Sequence, residues 1–548
     1  MAAGSPAGPR ASPRMERLSS VEELREVTSL LCTDVPQGYN ERTILTRHFS
    51  KYGQVVRVSC NKAKDTASVH FVDHASADEA RKRGMKVHPK VPPMRLFFRR
   101  PVKPGAARPA GQSPPEGEPG PPTATLNVAE LRALLRQPAA TATDRYRVLD
   151  ARDKLHRAVL RREQAARSGP LVGTCPDMCP EKERYMREEK HQISAAYERD
   201  RERQGPFEMD HRLAVKQYSR SSADQEEPLP HELRTPAALL LTMDYLVTHV
   251  MDAESRDSGD WFHFIWDRTR GIRKDITQQQ LTDPVSVGLV EKCARFHVHC
   301  ASALCELPRD MFDQKINNEN LTKCLQTLKH MYHDLALRDV PCPGEPEFRA
   351  YDILLNLNEG DILREVQTYS DAVRESAEVQ SALRVYVALS TNNYVRFFKL
   401  VRRSAYLPAC LLQRYFNQVR TRALDVITRT FCPPKKVVEF PLSELQQTLG
   451  LESEAECASL LRQHGLESEQ GTAFLERAVF QAPELAPDVR RCPTLIDAKR
   501  ACAVGQVIQG APLPADPLPG YQPHDSFDAA NVLRRAAWDA FDQRRDAA

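Results

Sequence analysis

From residue 171 to about 430 apolar residues recur at helical spacing, glycine is sparse and strand alternation is absent. The run WFHFIWDRTRGIRKDI (261–276) shows the pattern. Phe262, Ile265, Trp266, Ile272 and Ile276 share one face, while Arg268, Arg270, Arg273 and Lys274 fall mostly elsewhere. That is a core helix with a solvated or salt-bridged side. Stacked helical pairs are the expected architecture, with degenerate repeats because no strict period is visible.

The flanks read differently. Residues 26 to 100 run strand, helix, strand, strand, helix, strand, which resembles an RNA-recognition-motif fold, a small ferredoxin-like α/β module. Asn40 is the expected cap of its first helix, with Gly53 and Gly84 as helix stops. That fold stacks bases on aromatics of its central strands, and here the matching positions are Leu31, Thr66 and Ser68. None is a ring, so the module is expected to hold protein, or to grip RNA weakly through Arg and Lys.

After about 434, Lys436–Phe440 reads as a strand. Ser443 and Ser453 read as caps of two helices, and 472–475 and 478–480 as two short strands. Helix, helix, strand, strand is a winged-helix pattern. The segmentation is 1–25 disordered, 26–100 the RNA-recognition-like module, 101–124 a Pro/Gly linker and 125–170 a basic helical segment. Helical repeats fill 171–430, a winged helix 431–482, and a Pro-rich tail with a short terminal helix 483–548. The fold class is therefore mainly α, preceded by a small α/β module.

Composition sets outer limits. A chain of 548 residues, 41% hydrophobic and 27% charged, has material for several domains with real cores. No apolar run is long enough to span a bilayer. MAAGSPAGPRASPR at the start has no apolar segment of the secretory kind. Fourteen scattered cysteines read as reduced thiols of the cytosol or nucleus. A net charge of +4 is too small to argue nucleic-acid binding globally, so that case must be local.

One local case exists. Between 391 and 438 stand ten Lys or Arg and one acid, Asp425, a local charge of +9. Arg396, Lys399 and Arg403 share a helix face, as do Arg414, Arg422 and Arg429, and Lys435 and Lys436 lead into the winged helix. Arg402 and Arg420 complete the stripe. Such a patch binds phosphates with strong salt dependence and little sequence preference. The competing readings are a solvated basic face or a surface for an acidic partner.

GTCPDMCPEKERYMRE (173–188) poses a second question. Cys175 and Cys179 are four apart, with no second ligand pair at zinc spacing and three residues between them where a redox pair has two. Pro176 and Pro180 point instead to a rigid loop opening a helix, with Glu181 and Glu183 at its positive end. Cys293, His297 and Cys300 share one helix face among apolar neighbours, which favours core packing, with His299 beside them. No phosphate loop, HExxH or Ser/His/Asp order is present, so no catalytic residue, metal ligand or cofactor is expected.

The entry motif continues into AVKQYSRSSADQEEPLPHELRTPAALLLTMDYLV (214–247), DWFHFIWDRTRGIRKDITQQ (260–279), KINNENLTKCLQTLKHMY (315–332), EFRAYDILLNLNEGDILREVQ (347–367) and NNYVRFFKLVRRSAYLPACLLQRYF (392–416). Over roughly 170 to 500 this resembles the SAC/GANP family. The resemblance implies a PCI-like architecture and a scaffold of the transcription-export complex 2, coupling transcription to mRNA export at nuclear pores. The partners it implies are a second PCI-domain subunit, a small acidic protein of the DSS type, and mRNA or other single-stranded nucleic acid. The implied location is the nucleus and nuclear pore, with cytoplasmic and centrosomal pools as further expectations.

The family's nucleoporin and centrin contacts are in question, because these residues hold no Phe-Gly dipeptide and no long centrin-recruiting helix. A face of Leu533, Ala537, Trp538 and Phe541 is a candidate for a centrin groove; a free amphipathic helix is the alternative. Other readings are a centrosome or spindle scaffold of the same family, and a zinc-dependent or acetyltransferase enzyme.

Overall fold

The computed structural model describes residues 29–33, 35–36, 38–61, 66–87, 91, 93–98, 128–163, 171–199, 208–220, 227–253, 258–484 and 488–538. The expected disordered start and the 101–124 linker lie outside them. The chain divides into two compact units, Met1–Pro122 and Thr123–Ala548. Among the described residues no helix is long and apolar enough to cross a membrane.

In the first unit β1 (Ser29–Thr33), α1 (Arg42–Phe49), β2 (Val55–Asn61), β3 (Thr66–Phe71), α2 (His74–Arg83) and β4 (Arg95–Phe98) follow in the expected order. The strands make one antiparallel sheet, β2-β3-β1-β4. Alternation along β3 buries Ala67, Val69 and Phe71 against Leu45, Phe49, Ala77 and Ala80 of the helices. Thr66, Ser68 and His70 take the other face, half-buried. Leu31 pairs with Ser68 in register, and its side chain lies outside the described set. The centre of β3 therefore offers hydroxyls where base-stacking sheets carry rings. The expected Asn40 cap is displaced: α1 begins after Glu41, and buried Asn40 donates its amide to the Thr66 carbonyl at 3.5 Å. Asp73 caps α2, accepting the Ser76 N–H at 2.8 Å.

The second unit begins with α3 (Val128–Leu134) and α4 (Ala142–Glu163). Its body comprises α5 (Glu181–Glu189), α6 (Pro236–Tyr245), α7 (Ser258–Gln278), α8 (Pro284–Ala303), α9 (Gln314–Ala336) and α10 (Glu345–Leu355). It continues through α11 (Ile362–Val366), α12 (Asp371–Arg374), α13 (Ala377–Ser390), α14 (Tyr394–Arg403), α15 (Tyr406–Leu412) and α16 (Phe416–Phe431). α8 is the axis. Asp283 caps it through the Val285 and Ser286 N–H groups, Pro284 fits its first turn, and it is buried nearly all round. α6, α7, α9 and α15 pack on it. The apolar face expected on α7 is present, with Phe262, Ile265, Ile272 and Ile276 buried and Trp266 partly so.

α16 serves two cores. Phe416 and Val419 belong to the helical stack; Ala423, Leu424 and Ile427 belong to the core of the next segment. That segment is β5 (Val437–Pro441), α17 (Leu442–Leu449), α18 (Glu454–Gln463), β6 (Glu467–Glu469) and β7 (Thr472–Glu476), with strands ordered β5-β7-β6. Two details depart from expectation. α17 starts at Leu442 with Ser443 already inside it, whereas Ser453 does cap α18 through the Glu456 N–H. The hairpin is 467–476, turned by Gln470 and Gly471 at φ 49° and 78°, a two-residue turn with both residues left-handed. Residues 478–480 are not a strand; Phe480 instead stacks on His464 at 5.6 Å and the Gln481 N–H binds the His464 carbonyl.

The described residues of the tail form an ordered strap. Cys492 and Ile496 enter the main core, α19 (Val504–Gln509) packs on α8, and Phe527 and Leu533 reach the cluster of α3 and α4. The expected terminal helix is a short 3-10 turn, Arg535–Ala537, within the described residues. Leu533 is buried and Ala537 and Trp538 pack in the same cluster, so they form no free face; Phe541 lies outside the described residues.

Candidate nucleic-acid interface

The basic stripe follows the chain from the helical stack into the terminal sheet. On α14 the Asn393 side chain caps the helix, and Phe397, Phe398 and Val401 turn inward. Arg396, Lys399, Arg402 and Arg403 are therefore left exposed. Arg414 is exposed on the turn before α16, Arg422 and Arg429 are exposed along α16, and Lys435 and Lys436 are exposed just before β5. Arg429 is tied to Asp425 one turn back at 2.6 Å, and Arg402 donates to the Gln447 carbonyl.

Arg420 departs from the stripe. It is buried, donating to the Leu449 carbonyl at 3.2 Å, the Gly450 carbonyl at 2.6 Å and Glu456 at 3.3 Å. Gly450 must be glycine-like here: φ is 61°, and a Cβ would lie 2.6 Å from a Phe398 ring carbon. Burial pulls the Arg420 guanidinium below its ordinary range, with Glu456 opposing. Arg420 thus locks α16 to the end of α17 and is not available to a phosphate.

The cysteine loop is a clasp. Its backbone pairs with the segment before α6: Cys175 N–H to the Leu233 carbonyl and Thr235 N–H to the Cys175 carbonyl, both 2.9 Å. Its side chains face the tail. Asp177 accepts the His524 N–H at 3.0 Å, and Arg184 binds Asp177 at 2.9 Å and the His524 carbonyl at 2.5 Å. Glu181 accepts from the Ser526 N–H and hydroxyl at 2.9 and 2.5 Å, and the Met178 N–H reaches the Tyr521 hydroxyl at 3.2 Å. Pro176 and Pro180 stiffen this loop, and Pro180 immediately precedes α5. Both thiols are buried; burial pushes Cys175 up to about 11 and raises Cys179 well above the ordinary thiol range. Such thiols are poor nucleophiles.

Behind the clasp lies a buried charge network absent from the sequence reading. Glu198 is fully buried and receives Arg187, both Arg268 contacts at 3.0 and 3.1 Å, and the Ser194 and Val215 N–H groups. Burial raises its pKa, but Arg268 and Arg187 outweigh that and hold it below the usual carboxylate range. Asp275 likewise joins Lys216 at 2.7 Å and Arg234 at 2.8 Å. A buried acid must have a partner, but its identity lies 70 residues away in the chain for Glu198 and Arg268, which no local pattern signals. Cys293, His297 and Cys300 are buried in α8; His297 Nδ1 meets Asn317 at 2.8 Å, and His299 Nδ1 meets Tyr406 at 2.9 Å. Burial pulls both imidazoles down to about 3.

A family model described as the SAC3/GANP family matches residues 178–470, and an RNA recognition motif model matches residues 30–90. The chain is 40% identical over 572 aligned residues to "Protein xmas" of Drosophila melanogaster, covering 94% of this chain and 27% of that protein. It is 36% identical to "SAC3 family protein 1" of Schizosaccharomyces pombe, covering 54% of this chain and 30% of that one. It is 31% identical to "SAC3 family protein B" of Arabidopsis thaliana, covering 55% and 18%. The chain thus spans less than a third of the length of these relatives.

Proposed function

This chain belongs to the SAC3/GANP family, and we propose that it works as a non-enzymatic scaffold of nuclear mRNA export, of the transcription-export complex 2 type. The β-α-α-β-β cap is read as a winged helix that pairs with a second PCI-domain subunit, while a small acidic DSS-type protein meets the helical stack. The joined surface holds mRNA at or near the nuclear pore.

The observation that carries this reading is the exposure of Arg396, Lys399, Arg403, Arg414, Arg422, Arg429, Lys435 and Lys436 on consecutive elements that run into the cap. Each phosphate they neutralise releases condensed counterions, so affinity comes without base readout. The cap also offers a protein edge. β5 is an edge strand, Val437 on it is exposed, and exposed Phe431 packs against Phe440 at 5.7 Å. An unpaired strand edge beside apolar side chains suits a partner chain. The cationic row takes the nucleic acid, and the edge takes the second subunit.

The test is RNA binding by the full chain carrying Arg414→Glu, Arg422→Glu and Lys436→Glu. Affinity for single-stranded RNA should fall at least tenfold, and the slope of log affinity against log salt should flatten by about 2, near 0.7 per lost contact. Unchanged affinity and slope in a folded variant would remove RNA from the proposal.

A further inference from the structure

Asp153 and His156 lie three residues apart on α4 and so share a helix face. His231, in the 3-10 turn Pro230–Glu232, comes to meet them. Its Nε2 is 2.8 Å from Asp153 Oδ1, and its ring meets that of His156 edge-on, 5.3 Å between centroids. One possible ligand atom from each of the three lies within 4.8 Å of the others. Asp153 and His156 are buried, whereas the His231 side chain is 26% exposed.

We propose that Asp153, His156 and His231 form a divalent transition-metal site, suited to zinc, that staples α4 to the turn before α6. Two imidazoles and one carboxylate form a donor set that zinc accepts, with a fourth position open to water. Bonds of about 2.0–2.2 Å place ligand atoms roughly 3–3.5 Å apart, so side-chain rotation closes the site. Zinc adds no electron transfer; it takes one lone pair from each neutral imidazole and one from the carboxylate, with the single ring proton of His231 held on Nδ1 so that Nε2 faces the ion, and any ring that is protonated beforehand gives its extra proton to solvent.

The neighbouring cations have separable roles. Lys182 sits 3.0 Å from Asp153 Oδ2 and 2.8 Å from Asp150, so it can orient the carboxylate from its far oxygen. Arg152 contacts Oδ1 at 3.0 Å and is the group the ion displaces. Arg157 is engaged by Glu232 at 2.9 Å. The partly exposed His231 provides the entry path.

The experiment titrates metal-free full-length chain with Zn2+ by calorimetry, beside His156→Gln and His231→Asn. Wild type should bind one more equivalent than either variant, or bind that equivalent at least about tenfold more tightly, and only wild type should gain in Tm with zinc at that stoichiometry. Equal stoichiometry, affinity and Tm shift in all three proteins would overturn the site, as would no zinc uptake by wild type. His231→Asn alters a partly exposed turn, so it remains informative if His156→Gln fails to fold.

Discussion

Asp177 accepts the backbone N–H of His524 at 3.0 Å, across 347 residues of chain. Arg184 completes the bracket by binding the Asp177 carboxylate and the carbonyl of the same His524. One residue of the tail thus has both backbone polar groups met by a buried ion pair, which explains why the charged stretch after the cysteine loop is not solvent-facing.

Asp177→Ala should release the strap. Arg184 would keep a buried charge without the carboxylate it pairs with, which costs about 3–5 kcal/mol. Urea unfolding should register that loss, and limited proteolysis should cut between 510 and 538 sooner than in wild type. A tail that stays protected in a folded Asp177→Ala chain would mean that the apolar contacts of Phe527 and Leu533 suffice.

Glu198→Gln should be among the most damaging conservative changes in the body. The amide keeps the shape but leaves Arg187 and Arg268 without their shared negative charge. A loss of about 3 kcal/mol or more is expected by chemical denaturation. A cost below about 1 kcal/mol would show that the two guanidiniums find other acceptors.

Stability should decline below neutrality through two buried histidines, opposed in part by Asp352, whose carboxyl is pushed up to about 6 by burial. His297 and His299 have folded pKa values pulled to about 3 by burial, against an unfolded value near 6.5. As pH falls below about 6.5 the unfolded chain takes protons that the folded one refuses, so stability drops towards pH 3 by about 1 kcal/mol per unit for each group. Glu198 and Asp275, whose folded pKa values are depressed, add a second loss below about pH 4.3. Denaturation midpoints from pH 7 to 5 should separate the histidine part, and His297→Asn should reduce that slope.

Arg420 and Arg422 should part company. Arg420→Ala removes donors from the Leu449 and Gly450 carbonyls and should destabilise by about 2–3 kcal/mol, whereas Arg422→Glu should leave the melting temperature within about 2 °C and weaken RNA binding. Matched melting and RNA-binding measurements would show the split; identical behaviour of the two variants would contradict it.

Ser68→Phe should convert the N-terminal sheet into a better RNA platform. Ser68 is on the outward-facing side of β3, beside Leu31 in register. A ring there should contribute about 1–3 kcal/mol per stacked base, read as roughly tenfold or greater tightening on single-stranded RNA. No gain would mean that flanking residues close this face to bases.

Much of the architecture is local and so was readable. Asp283-Pro284 and Ser453 start their helices through their own side chains, β3 alternates by simple geometry, and α7 shows its apolar stripe within one helix. The motif-bearing family resemblance followed from the same linear information. What period and capping cannot encode is which face of a basic helix is covered: Arg420 and Arg422 are two residues apart, yet only tertiary packing against the end of α17 makes one structural and leaves the other exposed. The tail is the larger case. Its prolines break helical period, so it reads as loose chain, while its order comes from buried polar groups on Asp177, Glu181 and Arg184 whose desolvation is offset only when residues some 340 positions later supply the matching N–H and C=O.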